Sequence, residues 1–419
     1  MSYLKIVGNG PLTGEITVQG SKNAALPILA ACLIGEGPCV IENCPQIRDV
    51  EDTLSILNQL GVRTGRKASA VSVDASGIRN ASVRGLQAER IRSSVLFLGA
   101  LLGRMGEAVF SRPGGCAIGS RPIDLHLEVM EVLGARIFQE EEIIHADVKS
   151  LRGASIRLRM PSVGATENGI LAAVCADGET VIENAAREPE VEELCRFLVL
   201  RGAKILRSPD GALHIWGKRP LSPVQFSLQP DRIVAGTYLC AAACCKGKIR
   251  ICNLPYQELE APIGILEKMG MKVAPDGNIW ANPPLKGIGY LATEPYPGFP
   301  TDLQPPLMAA LCTAGGQSRL CETIFDNRLT TAGQLRKMGA HIEIRGNCAV
   351  IDGTSCLHGE TVSAPDLRGG AALVCAALGA KGETMLGGYD YIARGYENIC
   401  RDLKSLGADI NLTEGITDL

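Results

Sequence analysis

The sequence predicts an α/β protein built from six copies of one helix-and-strand unit, arranged as two sets of three. Along its 419 residues, a helix of small residues, a glycine and a short β-branched strand recur six times. A second helix in each copy ends at a glycine, the expected left-handed stop. The two sets of glycines are Gly37, Gly106, Gly178, Gly247, Gly316 and Gly382, and Gly61, Gly134, Gly202, Gly270, Gly339 and Gly407. Both recur about every 66–73 residues, which indicates internal repetition in units longer than usual solenoid repeats.

The sixth copy lacks a strand segment at its C-terminal end. Five copies place two strand-like segments after the second helix, but the sixth has only residues 408–412. Two N-terminal segments, residues 3–8 and 15–20, have the matching pattern and spacing. We therefore expect both N-terminal segments to complete the sixth copy.

With the N-terminal segments assigned to the sixth copy, the chain divides into two predicted domains. The first spans residues 22–229 and carries the loop around Cys116. The second combines residues 1–21 with residues 230–419, so the chain crosses between the domains twice. We expect the starts of equivalent helices in the two domains to face one cleft.

Composition and charge exclude several function classes. The net charge is −3 and aromatic residues make up 4% of the chain, which gives neither a basic field nor a stacking platform for nucleic acid. The longest apolar runs, such as residues 24–34, are too short to span a bilayer. The N-terminus has no signal-peptide pattern. We expect a cytoplasmic, monomeric protein without a nucleic-acid or membrane partner.

The cysteines and histidines do not form a recognisable metal or disulfide pattern. Most of the 16 cysteines lie in apolar stretches, where cysteine behaves as a small hydrophobic residue. There is no Cys-x-x-Cys pair, and the five histidines are not at metal-ligand spacings. We expect reduced thiols, no metal and no cofactor.

One loop, residues 112–126, concentrates reactive groups. It contains Cys116, two arginines, three glycines and two prolines, and it has no periodic apolar pattern. Arginine binds phosphate and carboxylate groups through a planar fork, and a thiol beside it is a candidate acid or nucleophile. The alternative is a surface turn with an incidental cysteine.

The small-residue helices begin with charged or polar residues. These are Lys22, Asn23, Arg92, Asp231, Arg232, Asp302, Asp366 and Arg368, and Ser162 and Val163 precede the third helix. Helix N-termini bind anions, but Asp and Asn also cap helices without any ligand. We interpret about half of the acidic positions as caps. Lys22, Arg92 and Arg232 oppose the helix dipole, which favours a bound anion as their partner.

Three further charged residues have two interpretations each. Arg394 follows a strand in an Arg-Gly step and is either part of the anion site or a solvated surface residue. Glu188 and Glu190 are either general bases or exposed turn charges.

Several motifs together resemble one family over the whole chain. They lie at residues 20–25, 113–119, 121–126, 162–166, 183–190, 230–233, 299–302 and 394–396. The resemblance is to the UDP-N-acetylglucosamine 1-carboxyvinyltransferases of the EPSP synthase superfamily. It implies two inside-out α/β barrel domains, each with three repeats around buried helices. It also implies transfer of enolpyruvyl from phosphoenolpyruvate to the 3′-hydroxyl of UDP-N-acetylglucosamine, the first committed step of peptidoglycan synthesis.

The resemblance assigns roles to individual residues. Cys116 is expected to protonate the methylene carbon of phosphoenolpyruvate, and Asp302 to take the proton of the sugar hydroxyl. Lys22, Arg121 and Arg394 are expected to hold phosphate and carboxylate, with help from Arg368. The remaining substrate-binding residues are Asn23, Arg92, Pro122, Ile123, Asp124, Leu125, Ser162, Val163, Gly164 and Ile324. The chemistry itself requires cations for the anionic substrates, an acid at carbon and a base at the hydroxyl.

Four positions depart from the family's usual residues. Val234 stands where Glu is common, Ala393 where Asp is usual, Leu96 where some members have Trp, and Met160 where some have Lys. None of them removes a residue with an assigned role. They nevertheless leave open a catalytically weak paralogue with a binding or regulatory role. The other alternative, 5-enolpyruvylshikimate-3-phosphate synthase, has the repeats but lacks the cysteine loop.

Overall fold

The computed structural model describes residues 2–8, 10–111, 119, 122–281, 284–353 and 356–414. These residues form two compact units, which are considered separately below. The first unit comprises residues 20–111 and 122–229, and the second comprises residues 2–19, Gly119 and residues 230–414.

Short strands and helices alternate along the chain. The strands are β1 (Ser2–Gly8), β2 (Thr13–Ile16), β3 (Cys39–Glu42), β4 (Arg63–Lys67), β5 (Ala70–Asp74), β6 (Ser82–Val83), β7 (Glu107–Ser111), β8 (Arg136–Glu140), β9 (Ile143–Asp147), β10 (Ser155–Arg157), β11 (Glu179–Glu183), β12 (Lys204–Arg207), β13 (Leu213–Trp216), β14 (Val224–Ser227), β15 (Lys248–Ile251), β16 (Met271–Val273), β17 (Asn278–Ala281), β18 (Gly289–Ala292), β19 (Gly316–Cys321), β20 (His341–Arg345), β21 (Cys348–Gly353), β22 (Thr361–Ser363), β23 (Gly382–Gly387) and β24 (Asp409–Glu414). The helices are α1 (Lys22–Ala31), α2 (Arg48–Gln59), α3 (Leu86–Arg90), α4 (Phe97–Met105), α5 (Asp124–Val132), α6 (Val163–Ala173), α7 (Pro189–Leu200), α8 (Arg232–Cys245), α9 (Glu260–Lys268), α10 (Gln304–Cys312), α11 (Thr331–Lys337), α12 (Leu367–Gly379), α13 (Tyr389–Ile392) and α14 (Ile399–Ser405). Short 3₁₀ turns, Arg92–Leu96 and Thr301–Leu303, precede α4 and α10.

The strands form six four-stranded sheets with one shared topology. In the first unit the orders are β14-β3-β5-β4, β6-β7-β9-β8 and β10-β11-β13-β12. In the second they are β2-β15-β17-β16, β18-β19-β21-β20 and β22-β23-β1-β24. Each sheet, read in this order, has one parallel pair followed by two antiparallel pairs. The predicted α/β class with six repeats is therefore confirmed.

The two N-terminal strands belong to different sheets. β1 lies between β23 and β24 and completes the sixth sheet, as expected. β2 instead pairs in parallel with β15 of the fourth sheet. The reason is that every repeat gives its last strand to a neighbouring sheet, as β14 does when it pairs with β3 in the first unit. The pattern of β2 identified it as a strand but did not identify its partner.

Three helices in each unit are buried on all sides, and the sheets surround them. In the second unit α8, α10 and α12 pack on one another, and in the first unit α4 and α6 pack together with α1 close by. Every residue of α8 is buried, because its small residues, Ala, Gly and Cys, allow neighbouring helices to pack closely. Cys240, Cys244 and Cys375 are among the buried thiols, as the sequence predicts. The inside-out arrangement inferred from the family resemblance is confirmed within each unit.

The outer helices end where the repeat pattern places their stops. Gly61, Gly134, Gly202, Gly270, Gly339 and Gly407 all have φ between 87° and 115°. That left-handed conformation favours glycine and terminates each helix. None of the described helices is long and apolar enough to cross a membrane.

One pair of cysteines differs from the expectation of reduced thiols. Cys321 in β19 and Cys348 in β21 form a disulfide. They are directly opposite in the antiparallel register, with their Cα atoms 4.0 Å apart. Strand pairing across 27 residues of sequence brought them together, and their spacing in the sequence gave no sign of it.

Candidate active site

A carboxylate in the second unit is held between two buried guanidinium groups. Asp302 Oδ1 accepts a hydrogen bond from Arg328 Nη2 at 2.5 Å. Its Oδ2 accepts from Arg368 Nε at 3.1 Å and from Arg368 Nη2 at 2.9 Å. The Asp302 side chain is 27% exposed, whereas those of Arg328 and Arg368 are 3% and 4% exposed. The two cations stabilise the ionised carboxylate while one edge of it stays accessible.

The two arginines that hold Asp302 also have N–H groups that do not bind it. Within the described part of the chain, Arg328 Nε and Arg368 Nη1 are buried and have no acceptor. Burial would lower the pKa of Arg368, but the charges of Asp302, Tyr396 and Asp231, together with the hydrogen bond to Asp302, outweigh it and raise that pKa above its usual value. Arg368 therefore stays charged, and both arginines have a donor left for another anion or for water.

Arg394 lies in a loop that is fixed by its neighbours. Gln19 Nε2 donates to Gly395 O at 3.0 Å, and Glu397 N donates to Gln19 Oε1 at 2.8 Å. Between them, Tyr396 is buried with its hydroxyl 2.8 Å from Thr237 Oγ1. Burial raises the pKa of Tyr396 to about 12, so this phenol stays neutral. The half-buried Arg394 is thus carried on a rigid segment and is not a fully solvated surface residue.

In the first unit the arrangement of charges is reversed, because a lysine rests on a buried carboxylate. Lys22 Nζ lies 2.8 Å from Asp49 Oδ2, and the two side chains are 10% and 4% exposed. Lys22 begins α1 and Asp49 lies in the first turn of α2. The structure places a protein carboxylate beside Lys22 at the helix start, and the bound anion that the sequence favours there stays a prediction.

Asn168 connects the predicted nucleotide-sugar residues of the first unit. Asn168 Oδ1 accepts from Gly99 N at 2.7 Å, and its Nδ2 donates to Val95 O at 2.8 Å. Asn168 Nδ2 also lies 3.0 Å from His126 Nδ1. The amide therefore links α6, which starts at Val163, to the beginning of α4 and to the first turn of α5.

The other predicted substrate residues of this unit have contacts and burial of their own. Arg92 Nη2 donates to Pro122 O at 3.0 Å. Asp124 forms an ion pair with Arg159, a partner absent from the sequence-based site. A Cβ at Gly164 would lie 2.8 Å from His126 Cε1, so only glycine fits here without movement of the histidine. Asn23, Ser162 and Val163 are half-buried, while Ile123 and Leu125 are buried.

Helix capping explains two of the three acidic helix starts. Asp231 Oδ1 accepts from Ile233 N and Val234 N at 2.9 and 3.0 Å, and Asp366 Oδ1 accepts from Arg368 N and Gly369 N at 2.9 and 3.1 Å. Asp302 caps no helix and binds the two arginines instead. Two of the three acidic positions are therefore caps, in line with the expectation of about half, and Asp302 stays the predicted base.

Cys116 and Arg121 lie outside the described residues. Among the described cysteines, burial raises the pKa of Cys195, Cys240 and Cys312 to about 12, as expected for inert thiols. Cys252 and Cys356 are exposed.

Glu190 is not an exposed turn charge. It is 4% exposed near Glu167, which is equally buried. Burial, and next the charges of Glu190 and Glu188, raise the pKa of Glu167 well above its usual value. The interpretation of Glu188 and Glu190 as general bases stays a prediction.

Comparison with known proteins identifies the family. Residues 6–403 match the family described as EPSP synthase (3-phosphoshikimate 1-carboxyvinyltransferase). The UDP-N-acetylglucosamine 1-carboxyvinyltransferase 2 of Caldanaerobacter subterraneus is 44% identical over 98% of this chain and 99% of its own. The chain belongs to this family of enolpyruvyl transferases. The enzyme of Lawsonia intracellularis, named UDP-N-acetylglucosamine 1-carboxyvinyltransferase, is 42% identical over 99% of this chain and 100% of its own.

Solved structures of enolpyruvyl transferases have the same fold. The enolpyruvyl transferase NikO from Streptomyces tendae has a TM-score of 0.88 and 26% identity, with 98% of this chain and 99% of that one covered. An EPSP synthase from Acinetobacter baumannii has a TM-score of 0.77 and 20% identity, covering 99% of this chain and 100% of that one, and shows likeness of fold alone. The family and the two-domain α/β class predicted from the motifs are confirmed, and the chain is a transferase.

The structure adds functional candidates that sequence reasoning missed. Arg328 binds Asp302, Asp49 binds Lys22, and Glu322 binds the backbone of Ile324. Arg328 lies four residues after Ile324, a predicted substrate residue, and this nearness was the sequence feature that could have pointed to it. Of the departures from the family, Val234 and Leu96 are buried apolar residues, Ala393 caps α13, and Met160 is 49% exposed.

Proposed function

We propose that this chain transfers the enolpyruvyl group of phosphoenolpyruvate to the 3′-hydroxyl of UDP-N-acetylglucosamine and releases phosphate. The observation that carries the proposal is the near-full-length similarity to enzymes named for this activity, at 42–44% identity. The reaction is the first committed step of peptidoglycan synthesis.

Asp302 acts as the general base in this proposal. Its ionised carboxylate, held by Arg328 and Arg368, takes the proton of the sugar hydroxyl as the oxygen attacks carbon 2 of phosphoenolpyruvate. The paired guanidinium groups fix the direction of the carboxylate before substrate arrives. Arg368 also has a buried donor that serves the anionic substrate.

Cationic side chains neutralise the charge of phosphoenolpyruvate. Lys22, Arg121 and Arg394 hold its phosphate and carboxylate groups, and such contacts strengthen as charge moves in the transition state. Cys116 gives a proton to carbon 3, which completes the addition. Loss of a proton from carbon 3 and of phosphate from carbon 2 then restores the double bond in the product.

The nucleotide sugar is assigned to a set of residues on helix starts and loops. These are Asn23, Arg92, Pro122, Ile123, Asp124, Leu125, Ser162, Val163, Gly164 and Ile324. The start of α6 supports this assignment, because free N–H groups at a helix N-terminus bind phosphate. The domains predicted as residues 22–229 and residues 1–21 with 230–419 are part of the same proposal.

A phosphate-release assay tests the proposed activity. The protein is incubated with phosphoenolpyruvate and either UDP-N-acetylglucosamine or shikimate 3-phosphate. We expect release only with the nucleotide sugar. Release only with shikimate 3-phosphate would support the second candidate, which the family description of residues 6–403 also names. No release with either acceptor would favour the catalytically weak paralogue.

A further inference from the structure

Glu322 is a buried carboxylate placed between two parts of the candidate site. It directly follows β19 and is 3% exposed. Its Oε2 accepts from Thr301 Oγ1 at 2.9 Å, and Thr301 is the residue before Asp302. Its Oε1 accepts from Ile324 N at 2.8 Å and from Phe325 N at 3.2 Å. One side chain thus fixes both the residue before the proposed base and the loop that carries Ile324.

Thr293 completes the set of partners. Thr293 Oγ1 donates to Glu322 Oε1 at 2.9 Å and accepts from Thr323 N at 2.9 Å. The backbone of Glu322 is also held, because Glu322 N donates to Asn347 O at 2.8 Å and Asn347 Nδ2 donates to Glu322 O at 2.9 Å. The carboxylate therefore has little freedom to move.

The partners of Glu322 are neutral in the described part of the chain. Each hydrogen bond that its carboxylate accepts there comes from a hydroxyl or a backbone N–H group. A buried carboxylate without a cationic partner is a costly way to stabilise a fold. Its two oxygens do, however, fix several donors in defined directions, as a residue that orients a site must do.

We propose that Glu322 is a positioning residue that aligns Asp302 through Thr301 and shapes the contact of Ile324 with the nucleotide sugar. The inference rests on the proposed function. Each oxygen has its own task, because Oε2 holds the Thr301–Asp302 step and Oε1 holds the Ile324–Phe325 backbone. The two tasks are therefore separable by mutation.

Kinetics of three variants test this division. Glu322→Ala removes both tasks and should lower kcat about 100-fold, the effect expected when a reacting group is displaced by about 1 Å, and should raise KM for UDP-N-acetylglucosamine. Thr301→Val removes only the bond to Oε2, so kcat should fall about tenfold with that KM unchanged. Glu322→Gln keeps an acceptor and the side-chain volume and should recover most of the activity. KM for phosphoenolpyruvate should stay within about twofold in all three.

A matched control separates positioning from general stability. Asp402 is another largely buried carboxylate of the second unit, 12% exposed, and accepts a hydrogen bond from Tyr238. Asp402→Asn should lower the unfolding temperature without changing either KM. If Glu322→Ala and Thr301→Val both keep wild-type kinetics while the wild-type protein is active, Glu322 has no positioning role. If Glu322→Ala changes only the unfolding temperature, the inference is also wrong. An inactive wild-type protein would instead overturn the proposed function.

Discussion

The two units treat their central charged residue in opposite ways. In the second unit the carboxylate of Asp302 is bound on both oxygens by the buried arginines Arg328 and Arg368. In the first unit the ammonium of Lys22 rests on the buried carboxylate of Asp49. Two planar guanidinium groups fix the direction of a carboxylate, which suits the base role proposed for Asp302. A carboxylate beside a buried ammonium offsets the cost of burying its charge, which suits the phosphate-binding role proposed for Lys22.

The largest expected effect separates the proposed catalytic role of Asp302 from the helix-capping role of Asp231, both in the second unit. Asp302→Asn should lower kcat about 10²–10⁴-fold, the range of general acid–base catalysis, because an amide cannot take the proton. Asp231→Asn is the matched control, because Asn caps helices as well as Asp does. Steady-state turnover with both substrates measures this difference. Equal losses in the two variants would show that Asp302 is structural.

In the first unit, Lys22→Ala should remove a contact that strengthens in the transition state. By analogy with lost oxyanion donors, kcat should fall about 10²–10³-fold. Lys218→Ala serves as control, because Lys218 is half-exposed in a surface pair with Asp177. Near-wild-type turnover of Lys22→Ala would exclude Lys22 from the site.

The pairing of Lys22 with Asp49 gives a stability prediction. Asp49→Asn removes the carboxylate 2.8 Å from the buried ammonium of Lys22 and should lower the free energy of unfolding by about 3–5 kcal/mol. Phosphoenolpyruvate should recover more stability in this variant than in wild type, because the anion compensates the charge. Denaturant unfolding with and without phosphoenolpyruvate measures both. The same ligand effect in both proteins would mean that Lys22 does not bind this anion.

Glu167 predicts a smaller effect that depends on pH. Because its pKa is raised in the folded protein, the folded state holds a proton that the unfolded state loses above pH of about 4.3. Stability therefore falls as pH rises from there towards the folded pKa, by up to about 1.4 kcal/mol per pH unit. Glu167→Gln should flatten this dependence, whereas Glu179→Gln, at an exposed position, should not. Parallel stability curves for wild type and Glu167→Gln would contradict the shift.

The smallest expected effect concerns the exposed thiols. Cys252 and Cys356 should react with iodoacetamide along with Cys116, but their replacement by serine should leave turnover unchanged. In that double variant, labelling confined to Cys116 should abolish activity. Peptide mapping by mass spectrometry follows the label. Full activity after Cys116 is modified would remove it from the mechanism.

The sequence predicted the repeats better than the pairing between them. The periodic glycines and apolar helices reflect local structure, which the sequence encodes directly. The six copies and the ends of their helices were therefore predictable. The partner of β2 was not, because strand exchange between repeats depends on closure of the whole unit. The register that places Cys321 opposite Cys348 is likewise set by strand pairing over a long separation in the chain.

For the candidate site, motifs identified residues but not their partners. Asp302 and Lys22 were found from their places at helix starts. Arg328 and Asp49 were missed because a buried ion pair leaves no periodic trace in the sequence. Glu322 was missed because its hydrogen bond from Thr301 joins residues 21 positions apart, which also leaves no periodic trace in the sequence.

The most direct test of the account is the fate of the methylene hydrogens of phosphoenolpyruvate. The reaction with UDP-N-acetylglucosamine is run in deuterium oxide and the product is examined by proton NMR and mass spectrometry. Protonation of carbon 3 followed by loss of a proton should place solvent deuterium in the enolpyruvyl group of the product. A product without deuterium would contradict addition and elimination, and absence of the enolpyruvyl ether would contradict the proposed function itself.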